Sequence, residues 1–417
     1  MLKYLRYLQD KKLRQTLLLL STSVMVMVLV LAVNFFITRI LGKSTFGNYS
    51  LVINLFNFFQ IIFNFGFYYS ISRDIAISEE VLRQRELYGV GLFVTFLLYI
   101  LMSVCLFIYF GEFDKSNGEE VLKAVFLCIP FSWVFLLNNF NELLLQGGNR
   151  ITLLSFSRFM PRFIFLLFLV LIYYYAHEYK SINIILSCFI FSSILSYIFI
   201  IYKLKPKFTN LKKRIVDVKD ANRKFGFNIY LGSLFAVGAS SLSGILISYF
   251  GINNIEVGYY SIALQLSAPL SLIPNVLATT SFKKFANSQT IDKKLLMVMY
   301  SISLFTLFII YIIAKPVILT IYGADYIESV YLLYYLSIGS LLYGISDFYN
   351  RFLLSKGKGK ELRNSSFFVG GILIISNFIL INLLGAKGAA IATIISGLSY
   401  LGIIIYYFKK VSNLGLG

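Results

Sequence analysis

Residues 203–224 read KLKPKFTNLKKRIVDVKDANRK, with nine Lys or Arg, two Asp, one Pro and little hydrophobic continuity. Long apolar runs flank this stretch, about six before it and about six after, each near the roughly 20 residues that a membrane-spanning helix needs. Residues 203–224 are therefore read as a basic cytoplasmic linker between two six-helix bundles, residues 1–202 and 225–417. The fold class that follows is an all-α polytopic membrane protein of about twelve transmembrane helices.

Composition supports this reading. The 417 residues are 58% hydrophobic, more apolar surface than soluble cores can hide, so the bilayer is the solvent for most of the chain. A net charge of +19 would suggest nucleic acid in a soluble protein, but in a membrane protein basic residues gather in cytoplasmic loops and report topology. The expected spans are 15–40, 46–70, 88–110, 121–145, 151–175 and 182–202, then 225–250, 256–281, 295–316, 329–354, 364–384 and 388–408. With the N-terminus inside, the inner segments carry 28 of the 38 Lys and Arg and the outer loops four, an asymmetry that a missed helix would scramble. Both termini are thus expected in the cytoplasm. Residues 1–14 read as a short amphipathic segment on the inner surface. Cys105, Cys128 and Cys188 lie inside apolar runs, and His177 is the lone histidine, so no disulfide framework or metal site is expected.

The halves echo one another. Phe46-Gly47-Asn48-Tyr49-Ser50-Leu51 follows the first span, and Val257-Gly258-Tyr259-Tyr260-Ser261-Ile262 follows the seventh. Six spans per half make the repeat parallel, with its pseudo-two-fold along the membrane normal, and such repeats place a transport pathway between the halves.

Several motifs resemble those of the polysaccharide transporter family, the Wzx-type oligosaccharide-lipid flippases of the multidrug/oligosaccharidyl-lipid/polysaccharide exporter superfamily. They are Arg39-Ile40-Leu41-Gly42 with Phe46-Gly47-Asn48-Tyr49; Asn64-Phe65-Gly66-Phe67 with Ser72-Arg73-Asp74-Ile75-Ala76; Gly258-Tyr259-Tyr260-Ser261-Ile262-Ala263; Ile321-Tyr322-Gly323-Ala324-Asp325-Tyr326; and Leu384-Gly385-Ala386-Lys387-Gly388-Ala389-Ala390-Ile391-Ala392-Thr393. They run through nearly the whole chain in the family's order. The seventh span departs from the pattern: where many relatives carry Asp or Arg, Ser240-Ser241-Leu242-Ser243-Gly244 offers only hydroxyls. The resemblance implies a non-enzymatic flippase of the bacterial cytoplasmic (inner) membrane. Its substrate would be an undecaprenyl-diphosphate-linked oligosaccharide repeat unit of O-antigen, capsule or similar. It also implies H+ or Na+ as coupling ion and the polymerase of the same pathway as partner. A multidrug or other lipid-linked precursor exporter of the superfamily is the alternative, with a membrane glycan polymerase or ligase behind it. Short outer loops argue against the last.

Ionisable residues inside spans are costly and point to a cavity or a partner. Arg158 and Arg162 lie four apart on one helix face, roughly 10 and 17 Å in from the inner boundary at ~1.5 Å per residue. Two forked guanidiniums there suit a diphosphate; the competing reading pairs Glu142 with Arg150 or Arg158. Arg162 follows Pro161, which can break the helix and free a carbonyl. Arg39, near the outer end of the first span, is a further candidate substrate contact. Asn57, Gln60 and Asn64 have helical spacing and would bond sugar hydroxyls or another helix. Asp347 and Arg351, at i and i+4, read as a structural or gating ion pair. Pro269 and Pro274, with Gln265 and Asn275, mark a bent eighth span that lines a path or simply packs. Gln146-Gly147-Gly148-Asn149-Arg150 and Lys356-Gly357-Lys358-Gly359-Lys360 both lack the Walker spacing, so no nucleotide cofactor is expected and transport would draw on a gradient.

Overall fold

A computed structural model describes residues 11–111, 118–175, 181–251 and 253–413, and these are helical nearly throughout, with no strand among them. Most of the amphipathic segment expected at 1–14, most of the acidic loop after the third span and His177 lie outside the described residues. Fifteen α-helices follow in order. The first unit draws on α1 (Lys11–Ile62), α2 (Phe67–Ile77), α3 (Val81–Gly111), α4 (Glu119–Cys128), α5 (Trp133–Gly147), α6 (Ile151–Tyr175), α7 (Ile182–Leu204) and α8 (Leu211–Ala221). The remainder are α9 (Phe227–Ser233), α10 (Ala239–Phe250), α11 (Ile255–Ser267), α12 (Pro269–Asn287), α13 (Lys293–Ile321), α14 (Glu328–Ser355) and α15 (Gly359–Asn413).

Among the described residues, eight helices are long and apolar enough to cross a bilayer, nine if the pair α4–α5 counts as one span bent by 55°. Pro130, inside the 3-10 turn Ile129–Phe131, makes that bend by removing a backbone donor. Helices α1 and α15 have 52 and 55 residues, more than twice what one crossing of ~30 Å requires. Each breaks at a glycine with positive φ, Gly42 (73°) and Gly385 (57°), so each supplies two crossings. The run from Phe227 to Phe250 is continuously helical through a π turn at Leu234–Gly238 and forms another. The total is the expected number of about twelve: the chain is an all-α, multi-pass membrane protein.

By packing, the chain forms two compact units, Met1–Gly42 with Phe56–Leu231 and Lys43–Leu55 with Gly232–Gly417. The second span is thus divided between the units at Leu55, and the basic stretch belongs with the first unit. That stretch is itself ordered. Lys205 has a left-handed backbone after α7, Lys207 N–H donates to Arg85 O (2.9 Å), and α8 then runs on through the π turn Asn222–Gly226 into α9.

The second span is also broken, which periodicity alone did not indicate. Residues 63–66 leave the helix, with Phe65 (φ 46°) and Gly66 (φ 84°) left-handed. A break inside a span strands carbonyls that lipid cannot satisfy. Here Tyr230 Oη donates to Ile62 O (2.7 Å) and Asn222 Nδ2 to Phe65 O (3.0 Å), while Ser70 Oγ donates to Asn222 Oδ1 (3.2 Å). A Cβ on Gly66 would meet the Gly226 backbone, so this closure needs glycine on both strands of the contact.

In the second unit α14 and α15 pack through small residues: Gly339 lies against Thr393 and Gly397 against Leu342. Hydroxyl bonds tie the unit further, with Ser267 Oγ to Ser340 Oγ (2.8 Å), Tyr343 Oη to Ser396 Oγ (2.8 Å) and Tyr300 Oη to Tyr349 Oη (3.0 Å). Asp292 caps α13 by accepting from Lys294 N–H (2.9 Å). The Lys284 ammonium beside it holds that carboxyl below its usual range.

Candidate functional site

Helices α5 and α6 form a hairpin through the turn at Gly148–Arg150, so residues equally far before and after Arg150 face each other. Glu142 and Arg158 are such a pair. Arg158 Nε donates to Glu142 Oε2 (3.0 Å) and its second nitrogen to Oε1, a bidentate ion pair that remains partly exposed. Of the two pairings open to Glu142 in the sequence, the structure forms the one with Arg158. The two guanidiniums expected to share a diphosphate are therefore unequal. Arg158 is neutralised, whereas Arg162 makes no ion pair among the described residues and donates one bond to the carbonyl of Arg158 (2.6 Å). Pro161 sits between them without breaking α6.

Asn57, Gln60 and Asn64 do not form one helical stripe. Gln60 Nε2 donates to Asn57 Oδ1 (2.9 Å) on α1, but Asn64 falls in the break at 63–66. Gln60 Oε1 and Asn64 Oδ1 are buried with no hydrogen-bond partner, an expensive arrangement. Arg39 is exposed, its guanidinium 5.5 Å from the Phe35 ring, one turn before the break at Gly42.

In the second unit, Asp347 is not ion-paired to Arg351. It accepts from Tyr400 Oη (3.1 Å), and Asn350 Nδ2 donates to the same hydroxyl (2.6 Å). Asp347 lines an internal cavity of about 360 Å³ together with Tyr400, Tyr343, Tyr260, Ser243 and Thr393. Ser243, from the hydroxyl-only stretch of the seventh span, accepts from Asn377 Nδ2 (2.9 Å), and Asn377 Oδ1 is left buried without a partner. A carboxylate with one donor, beside a cavity of this size that carries several hydroxyls, has room to take up a proton or a small cation without rearranging the helices. The eighth span is interrupted at Ala268, between α11 and α12; Pro269 starts α12, and Pro274 lies inside it, next to Gly344 of α14.

Sequence reasoning missed Glu86. It is 2% exposed and accepts from Thr209 Oγ1 (3.0 Å), Asn210 Nδ2 (2.9 Å) and Arg214 Nε (2.8 Å), fastening α8 to the start of α3. It also missed Tyr400 and Asn377, which meet Asp347 and Ser243 only through the packing of α14, α10 and α15. An acid at the head of an apolar run, as Glu86 is, was the one available signal.

Residues 13–283 match the family described as polysaccharide biosynthesis protein. Among solved structures, the chain is similar to the lipid II flippase MurJ in an inward closed conformation (TM-score 0.74, 16% identity, 95% of this chain and 91% of that one). It is similar also to a multidrug resistance MATE family transporter of the MOP superfamily, inward-facing (TM-score 0.71, 14% identity, 96% and 99%). At these identities the likeness speaks for the fold. No curated protein sequence matches the chain.

Proposed function

The chain belongs to the polysaccharide biosynthesis protein family, and on that premise we propose that it is a flippase for undecaprenyl-diphosphate-linked oligosaccharide repeat units. It moves them from the cytoplasmic to the outer leaflet of a bacterial cytoplasmic membrane by alternating access, with both termini inside. The observation that carries this reading is Arg162. A guanidinium inside an apolar span is retained at a cost, and among the described residues no carboxylate pairs with it directly, Glu142 being held by Arg158. A diphosphate oxygen supplies the missing counter-charge, and the fork geometry of Arg suits it. The adjacent Glu142–Arg158 pair is a built-in competitor: on arrival of the diphosphate, Arg158 can exchange Glu142 for a phosphate oxygen. Gln60 Oε1 and Asn64 Oδ1, which lack partners, are acceptors for sugar hydroxyls, and Asn57, bonded to Gln60, lies beside them. Asp347 and its cavity are the place where a proton or Na+ would couple transport to a gradient.

The test is a deletion strain in which lipid-linked repeat units are followed by leaflet. Accumulation of single units at the cytoplasmic face with loss of surface polysaccharide is expected, and complementation by Arg162→Ala should fail although the variant inserts normally. Units that reach the outer leaflet but stay unjoined would assign the protein to polymerisation. An unchanged glycan would replace this reading with export of small amphipathic molecules.

A further inference from the structure

At the end of the second unit remote from the basic turn Lys356–Arg363, a half-open cavity of about 510 Å³ lies between α11, α14 and the break in α15. By the distribution of basic residues this is the outer end. Its volume falls in the range that holds a small-molecule ligand, about 300–1,000 Å³. Three tyrosines, Tyr259, Tyr331 and Tyr335, supply aromatic surface; Glu256, Glu328 and Lys387 supply charge. The rim is fixed by its backbone. Gly385 turns left-handed (φ 57°) where a Cβ would collide with the Glu256 carboxylate, and Glu256 Oε2 accepts from Ala386 N–H (2.7 Å). Tyr259 Oη is held by the carbonyl of Asp325 (2.9 Å). Lys387 Nζ already lies 5.6 Å from the Tyr335 ring centre.

The signs of these charges select the ligand. A cation drawn to Glu256 and Glu328 meets the ammonium of Lys387, which also occupies one aromatic face. An anion drawn to Lys387 meets two carboxylates. A neutral polyol satisfies all of them, because each hydroxyl both donates and accepts, and the C–H face of a pyranose packs on a tyrosine ring. We propose that this cavity is a saccharide subsite that holds sugar units of the cargo at the outer face. The proposal rests on the flippase reading for its cargo, but its binding chemistry can be measured without transport.

The experiment uses the full-length protein in lipid nanodiscs, since glycosidic detergents would themselves compete. Saturation-transfer NMR is recorded with lactose, N,N′-diacetylchitobiose and maltotriose, and with tetraphenylphosphonium and methylenediphosphonate as charged probes. Transfer to ring C–H protons of at least one sugar is expected, weakened roughly tenfold or more by Glu328→Ala, as loss of one bond to a charged group implies. Tyr331→Ala should weaken it too; that ring is 60% exposed, so its removal leaves the fold intact, as an unchanged melting temperature would verify. No transfer to any of the three sugars, equal transfer in both variants, or tighter binding of a charged probe at this site would overturn the proposal. If sugar binding fails while Arg162→Ala still abolishes movement of the lipid-linked unit, this inference alone falls. If sugars bind but the deletion strain keeps its glycan, the flippase reading falls instead.

Discussion

Glu86 of the first unit, under the basic helix α8, and Asp347 of the second, between apolar helices, are both carboxylates held away from water, and they are treated in opposite ways. Glu86 accepts from Thr209, Asn210 and Arg214, and Arg214 is itself steadied by Asp217 (3.1 Å). Both oxygens are used, and the result is a fastening that holds the ordered basic helix α8 to α3. Asp347 has one donor, Tyr400, and faces a cavity lined by hydroxyls. A saturated carboxylate resists any change of partner, whereas an under-coordinated one beside open polar space is poised to accept a proton or ion. The number of donors and the adjoining volume thus distinguish the two acids, and they are the reason Asp347 is proposed as the working one.

The sharpest way to break this comparison is Glu86→Ala. It leaves Arg214 without its main partner and should destabilise the first unit by about 3–5 kcal/mol, the range for removing one member of a buried ion pair; chemical unfolding in nanodiscs measures it. A loss below about 1 kcal/mol would mean that the fastening is incidental. Gly66→Ala tests the region that the fastening serves. A side chain there is strained by the left-handed backbone and collides with Gly226, so a cost of about 1–3 kcal/mol is expected in the same assay. Asp347→Asn should do the reverse of Glu86→Ala. Stability should change by less than about 1 kcal/mol, while leaflet transfer of the lipid-linked unit drops at least about tenfold, or 1.4 kcal/mol in barrier height. Equal damage to stability would place Asp347 with Glu86 as a structural group. The mildest variant in transport is Tyr400→Phe, which removes the single donor to Asp347 and the acceptor of Asn350 and leaves the cavity; a few-fold loss of transport is expected, with a stability cost of about 1 kcal/mol for two bonds inside a membrane bundle.

The candidate site was legible where a local rule applied. Arg162 stood out because a charge in an apolar span is conspicuous in one dimension. The choice of Arg158 as the partner of Glu142, over Arg150, required the register of the α5–α6 hairpin. Asn64 was misplaced on the helix face of Gln60 because periodicity assumes an unbroken helix, and the break at Phe65–Gly66 depends on Tyr230 and Asn222, more than 150 residues away, to satisfy its carbonyls. Arg351 is the right distance from Asp347 along α14, yet Tyr400 on α15 reaches the carboxylate first.

The amino-acid sequence by itself determined the membrane class and the number of crossings. Each is set by local hydropathy and charge, which the bilayer reads segment by segment with little regard to the rest of the chain. Only the tertiary structure decided which ionisable groups are spent on one another and which stay available. In a medium without water, a polar group's role depends on the partners that distant helices bring to it, and spacing along one helix does not reveal them.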